Sequence, residues 1–512
     1  MRQSLCRRTL VVLLAAVMLA ALAGGCSKPV VEQALVIAQG AEVTTLETHQ
    51  ISDSDSVAIR MHIYDNLVRV DDKGVIQPAL AEKWEFLPDG KSVLFTLRKN
   101  VKFHDGTPFN ATAVKKNFDR LLDPKRNTGA KSMLNMIAAV EVVDEYHVKI
   151  STAQPFGAIL MHLAEGAGSI MSPAAIEQYG DDVGVHPVGT GPFKFVEWIR
   201  GDRVVVERNN EYWGPRPALT GITWRIVPDD AARLAMLETG EADVVVRVPP
   251  FELKRMAANE SVKLINTTTN RSMYFILNLQ KPPFNDIRVR QAVNMAVDRQ
   301  AIIDTLLQGQ GKAATAPITP GVFGYAAQTP FEFSVDKAKA LLKDAGYTDA
   351  VEITLAAPQG RYLMDRQIAE AVAGQLEAAG FKVKLNVVGD FPAYLKILAN
   401  HEFDMAYWGW AAPTLDADIG MRMMVESKTA GKFPNFGGYV NPQVDSLVQQ
   451  GASSLDAATR SAAYGEACKL VWADAPWCFM FDQAVTTGVR SNVSGVVVMP
   501  SEWVLARGAT KK

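Results

Sequence analysis

Cysteine is scarce in this chain, with four in 512 residues, too few for a scaffold built on disulfides. Charge of one sign is missing too: 53 Lys and Arg stand against 55 Asp and Glu, so there is no basic footprint for nucleic acid. Beyond the N-terminus no apolar run approaches the ~20 residues that span a bilayer, which excludes a polytopic membrane protein. Histidine is rare. His49, His62, His104, His147, His162, His186 and His401 include no i, i+4 pair and no H-E-x-x-H arrangement, so no built-in catalytic zinc or other metal site is expected. Repeats and low-complexity tracts are absent. What is there is an ordinary globular composition, 48% hydrophobic and 21% charged, long enough for about three domains or two large lobes.

Catalytic constellations are absent as well. Gly189-Thr190-Gly191 runs into Pro192 and a strand-like segment, whereas a phosphate cradle needs a helix N-terminus. No G-x-S-x-G elbow occurs. The single S-x-x-K match, Ser334 to Lys337, opens an amphipathic helix carrying Ala338, Leu341 and Leu342, and Ser334 reads as its N-cap. With no nucleophile, base and oxyanion donor brought together, binding outranks chemistry, and no cofactor is implied.

The N-terminus reads as an address. Arg2, Arg7 and Arg8 precede the apolar run Leu10–Ala23, too short to span a bilayer but suited to a signal peptide. Leu22-Ala23-Gly24-Gly25-Cys26 then places small residues before a cysteine, the setting in which a lipoprotein signal peptidase cuts ahead of a diacylated thiol. Residues 1–25 are expected to be removed, residues 26–32 to act as a tether, and acyl chains on Cys26 to anchor an exported protein to a membrane. Cys468 and Cys478 lie in or beside apolar segments and read as buried small hydrophobes rather than a disulfide.

Asp89-Gly90 is a turn leading into a strand in which Val93, Phe95 and Leu97 alternate with polar residues. A helix is expected over about 111–122, so a compact α+β region occupies roughly 56–184. The stretch 350–410 is the most legible. A strand over 352–357 is followed by a helix carrying Ile368, Val372 and Leu376, stopped at Gly380. A strand with Phe381, Val383, Leu385 and Val387 facing one way comes next, then a helix capped by Asp390 and a strand over 403–408. Two βαβ crossovers predict a parallel sheet. Ligands of open α/β sheets sit beyond the carboxyl ends of the strands. Those ends are Gln359-Gly360-Arg361-Tyr362 and Trp408-Gly409-Trp410-Ala411, with Asp416 and Asp418 just after.

Several segments together resemble a known family: Tyr64-Asp65-Asn66-Leu67-Val68, Gln77 to Trp84, Val101 to Phe109 (VKFHDGTPF), His186 to Phe193 (HPVGTGPF), Arg208 to Trp213, Val289 to Asp298 and Asp474-Ala475-Pro476-Trp477. They are similar, in order and over nearly the whole mature chain, to the extracytoplasmic solute-binding proteins of ABC importers, peptide/nickel family 5. Met171 to Ala175 and Pro228 to Gly240 look most like its glutathione- and dipeptide-binding branch. The resemblance implies an α/β fold of two lobes hinged around a central cleft, the class II periplasmic-binding-protein type. It implies an extra α+β domain on the N-terminal lobe. Residues 33–55, 185–265 and 485–512 would form the first lobe, 56–184 the extra domain and 266–484 the second lobe.

The function implied is that of a monomeric, lipid-anchored receptor. It would capture a dipeptide, oligopeptide or glutathione and pass it to an ABC permease. Rival readings are a binder of a nickel or other metal chelate, which would need His49 or another cleft histidine, and a secreted peptide hydrolase. Peptide binders of the family commonly hold the ligand's amino group with an aspartate shortly after the Gly-Trp of the cleft strand, a position that falls here on Pro413. Candidate ligand contacts are Arg361, for a carboxylate; Trp410 and Trp408, two apart on one side of a strand; Arg271, which either touches ligand or bridges the lobes; His49, in the loop after the first strand; and Asp416, whose alternative is a loop cap.

Overall fold

The computed structural model describes residues 34–512 except 51, 52, 72, 127, 128 and 413. Cys26, the leader, the tether and Pro413 therefore lie outside the described residues. Two long strands organise the molecule, Val262–Leu277 and Trp477–Arg490, paired antiparallel along most of their length. Trp477 to Val489 is buried without a break, as expected of a central strand covered on both faces. Around this pair an 11-stranded sheet extends in two directions. To one side lie Val244–Val245, Ala34–Gln39, Gly221–Ile226, Arg203–Arg208 and Phe193–Ile199. To the other lie Met405–Ala411, Val351–Pro358 and Phe381–Val388. The result is two lobes joined by a shared ribbon.

That ribbon is not regular where the lobes meet. Thr268 stands opposite Ala484, yet Ser272 stands opposite Asp482, so the ladder breaks over residues 269–271. The looped-out backbone is pinned instead by other partners. The Asn270 amide donates to the Pro500 carbonyl at 2.9 Å, and its side chain donates through Nδ2 to the Ala412 carbonyl at 2.7 Å.

The second lobe follows from its sequence periodicity. Val351–Pro358 pairs parallel with both Phe381–Val388 and Met405–Ala411, and the crossover helices are Asp365–Ala378 and Phe391–Ala399. Gly380 supplies the left-handed residue (φ +102°) just past the first helix, and Asp390 caps the second by accepting from the Ala393 amide. Alternation along Met273–Leu277 splits the lobe into two cores: Met273, Phe275 and Leu277 pack on one face, Tyr274 and Ile276 on the other. Cys478 belongs to the first core and Cys468 to the second. Both are free thiols, pushed up by burial to about 11 and about 12 respectively. Ser334 caps the helix Val335–Asp344 through the Lys337 amide.

A separate antiparallel sheet, in the order Ala81–Phe86, Ser92–Leu97, His147–Thr152, Ile137–Asp144, is covered by the helix Ala111–Leu122. It lies within the 56–184 stretch read as an extra α+β domain. Among the described residues no helix is long and apolar enough to cross a membrane.

Candidate functional site

A cavity of about 750 Å³ lies between the lobes, within the ~300–1,000 Å³ usual for small-molecule sites. Both strand ends singled out in the sequence border it, through Arg361-Tyr362 and Trp408-Gly409-Trp410-Ala411. This follows from the parallel sheet: neighbouring parallel strands end at the same edge. Gly409 is needed there, because a Cβ would stand 2.6 Å from the Met273 sulfur and 2.9 Å from the Tyr362 ring.

Aromatic rings build the second-lobe wall. Trp408 meets the rings of Phe391, Phe433, Phe436 and Tyr362 at 5.7–6.4 Å, and Trp410 meets Phe433 at 5.8 Å. Trp408 is 4% exposed and so belongs both to this wall and to the core behind it. Arg361 is exposed at the rim, its guanidinium 5.0 Å from the centre of Tyr362 and 5.2 Å from that of Phe391. Its guanidinium makes no hydrogen bond or ion pair among the described residues, although its charge also helps to hold Glu502 ionised.

Another stretch of the wall is ionic. Arg247 donates through both terminal nitrogens to Asp55, at 2.8 and 2.9 Å. Arg271 donates to Glu502 at 2.8 Å, and Glu502 also lies 3.6 Å from Arg247. Burial opposes charge on these groups, yet the pairing wins: Glu502 is held below the usual carboxylate range by Arg271 and Arg247, and Arg247 is raised by Asp55. Arg247 and Glu502 both adopt left-handed backbone, φ +56° and +67°, which a residue with a Cβ rarely takes without compensation. Both strained residues sit in one network on the cavity wall. Arg271 thus bridges from the second-lobe strand to the C-terminal segment while bordering the cavity.

Sequence comparison decides the family. The model of bacterial extracellular solute-binding proteins, family 5 Middle, matches residues 75–432. The chain belongs to that family. It is similar to the glutathione-binding protein GsiB of Salmonella choleraesuis (strain SC-B67), 33% identical over 473 residues, which cover 91% of this chain and 92% of that protein. It superposes on HbpA2 from Haemophilus parasuis with a TM-score of 0.85 at 26% identity, covering 94% of this chain and 100% of the other. It also superposes on the periplasmic binding protein DppA from Helicobacter pylori in complex with the peptide STSA, with a TM-score of 0.79 at 27% identity over 94% and 98%. Family 5 proteins are solute-binding proteins, and the two-lobed fold is shared with these relatives.

In this family 5 chain two of the expected site residues are placed elsewhere. His49 is 1% exposed and does not line the cavity; its Nδ1 accepts from Arg120 at 2.8 Å, and Arg120 also pairs with Glu47 at 2.6 Å. Burial, then the charge of Arg120, holds its pKa well below the ordinary histidine value. Its neighbours Thr48 and Gln50 do border the cavity, so the loop faces the cleft as expected and the imidazole turns away. Asp416 is 1% exposed and caps the helix Ala417–Met424 through the Asp418 amide. Its two oxygens also accept from Arg460, at 2.8 and 2.9 Å. It is a cap and a buried ion pair, away from the cavity.

Among the wall residues that sequence reading missed are six charged ones, Asp53, Asp55, Arg60, Glu165, Arg247 and Glu502. Of these, Glu165 carried a signal: it and His162 are the only ionisable side chains between Phe156 and Ile170.

Proposed function

We propose that this protein is an extracytoplasmic, lipid-anchored receptor that captures a small peptide-like solute bearing a carboxylate between its lobes and hands it to the permease of an ABC importer. The observation that carries the reading is Arg361: an uncommitted guanidinium beside an aromatic wall suits a carboxylate with an apolar side chain. The glutathione-binding and peptide-bound relatives support it. A directly held metal ion is less well served. Among the described residues the cavity wall carries no histidine, and no three His, Cys, Asp or Glu side chains gather as a metal site.

The test is a panel of glutathione, Met-Leu, Ser-Thr-Ser-Ala and nickel-histidine. A ligand at a hundredfold excess over its Kd stabilises the fold by about 2.7 kcal/mol. Selective melting shifts with the peptide-like probes, each recovered intact, are the expected result. A shift with nickel-histidine alone would sink the peptide reading, and a consumed peptide would make the protein a hydrolase.

The anchor is tested at Cys26. Cys26→Ala removes the sulfur that takes the lipid, so the precursor is expected to stay uncleaved and unlabelled by radioactive palmitate. Normal labelling and maturation of that variant would remove the anchor from the proposal.

A further inference from the structure

Among the charged groups of the cavity wall, most are already committed. Arg247 is taken by Asp55, and Arg271 by Glu502. Asp53 caps the helix Ser54–Ile63, accepting from the Ser56 amide and hydroxyl. Glu165 stands apart. It borders the cavity, is 7% exposed, and its carboxylate makes no hydrogen bond or ion pair among the described residues. Three residues earlier the His162 ring meets Asp418 at 3.1 Å, and Arg422 pairs with the same carboxylate at 2.6 Å; Arg60, which borders the cavity beside Gly166, donates to the Glu47 carbonyl.

The backbone that presents Glu165 is held firmly. Its carbonyl accepts from Asn66 Nδ2 at 2.6 Å and from the Gly168 amide at 2.8 Å. Asn66 is fixed in turn by the Ser169 hydroxyl at 2.8 Å and by donating to the Leu163 carbonyl at 2.9 Å. A Cβ at Gly168 would lie 2.2 Å from the Leu163 oxygen, so this tight turn admits only glycine. A buried carboxylate without a partner is unfavourable to folding, and here it is fixed in place at the cleft instead of being turned to solvent. Burial alone raises its pKa well above the usual carboxylate range.

We infer that Glu165 is the subsite for the ammonium group of the solute, set in the extra domain on the same cavity as the carboxylate subsite at Arg361. The solute class is then narrowed to zwitterions with a free amine, and the amine's grip comes from a different domain than the carboxylate's. This rests on the peptide-like reading proposed above. An arriving ammonium supplies the partner that the empty cavity lacks and favours the ionised carboxylate. A proton held by Glu165 in the empty protein leaves as the amine binds.

The experiment compares glutathione and Met-Leu with their N-acetyl derivatives by titration calorimetry, on the wild type, Glu165→Gln and Arg361→Ala. Loss of a charge-assisted bond corresponds to roughly 10- to 150-fold in Kd. Wild type is expected to prefer the free amine by that factor, Glu165→Gln to lose the preference, and Arg361→Ala to weaken amine and N-acetyl forms alike. A second measurement needs no variant. From pH 5 to 7 the ligand amine already carries its proton, so binding in two buffers of different ionisation enthalpy is expected to show net proton release that fades as the pH rises, and no release anywhere in that range would overturn the assignment. If wild type binds the peptides but treats amine and N-acetyl forms equally, or Glu165→Gln keeps the preference, the Glu165 assignment falls while the peptide reading stands. If no free-amine probe binds the wild type, both fall together.

Discussion

Arg460→Met is expected to lower the unfolding free energy by about 3–5 kcal/mol, the usual effect of stripping one partner from a buried ion pair. Asp416 and Arg460 are 2% and 7% exposed in their side chains, and Arg460 also donates to the Gly451 carbonyl at 2.9 Å. The sign of the pH dependence follows from Asp416. Burial already raises its pKa, and Arg460 is the main group pulling it back. Without Arg460 the folded-state value rises further above the unfolded one, near ~3.9. A group shifted in that direction favours folding at low pH and loses that contribution as pH rises. The deficit of the variant is therefore expected to be smaller at pH 5 than at pH 8, read from urea-unfolding midpoints. Because neither residue borders the cavity, the folded variant is expected to bind solute as the wild type does. A weakened Kd with unchanged stability would return Asp416 to the binding site.

Arg361→Ala is expected to do the reverse. Kd for glutathione or Met-Leu should rise roughly 10- to 150-fold, the effect of deleting a bidentate charge-assisted contact. The melting temperature of the empty protein should hardly move, since Arg361 is exposed and its guanidinium, with no hydrogen bond or ion pair among the described residues, lies over the rings of Tyr362 and Phe391, contacts worth about 0.5–1 kcal/mol at such a site. Calorimetric titration alongside a thermal melt separates the two effects. An unchanged Kd would place the solute's carboxylate elsewhere, with Arg271 next to be tested.

What could be read from sequence was what local periodicity encodes. The second-lobe crossovers are legible because each strand and helix announces its own repeat, and because Gly380 and Asp390 act on neighbours within four residues. The cavity edge follows from the direction of parallel strands, which is why Arg361 and Trp410 emerge together. Failures begin where partners are distant. Asp416 meets Arg460 44 residues later, and His49 meets Arg120 71 residues later; no pattern within a loop says which of its side chains turns inward. Asp55, Arg247 and Glu502 come from three separate stretches and gain meaning only when the sheet brings them together. Glu165 is the instructive miss. An acid within an apolar run must be paired or put to use, and that much was visible before any coordinates.

The break in the ribbon at residues 269–271 bears on how such a molecule reports its cargo. Were the lobes to close about this break, the axis of rotation would pass close to Asn270 and Arg271, which also border the cavity. Cargo near a fulcrum moves little itself, while points far from the axis travel in proportion to their distance. A difference of one side chain in the trapped solute is thereby magnified at the outer rims of the lobes. On the receptor reading proposed above, a permease contacting those rims would gauge whether the jaws hold something, and how bulky it is, without ever touching it.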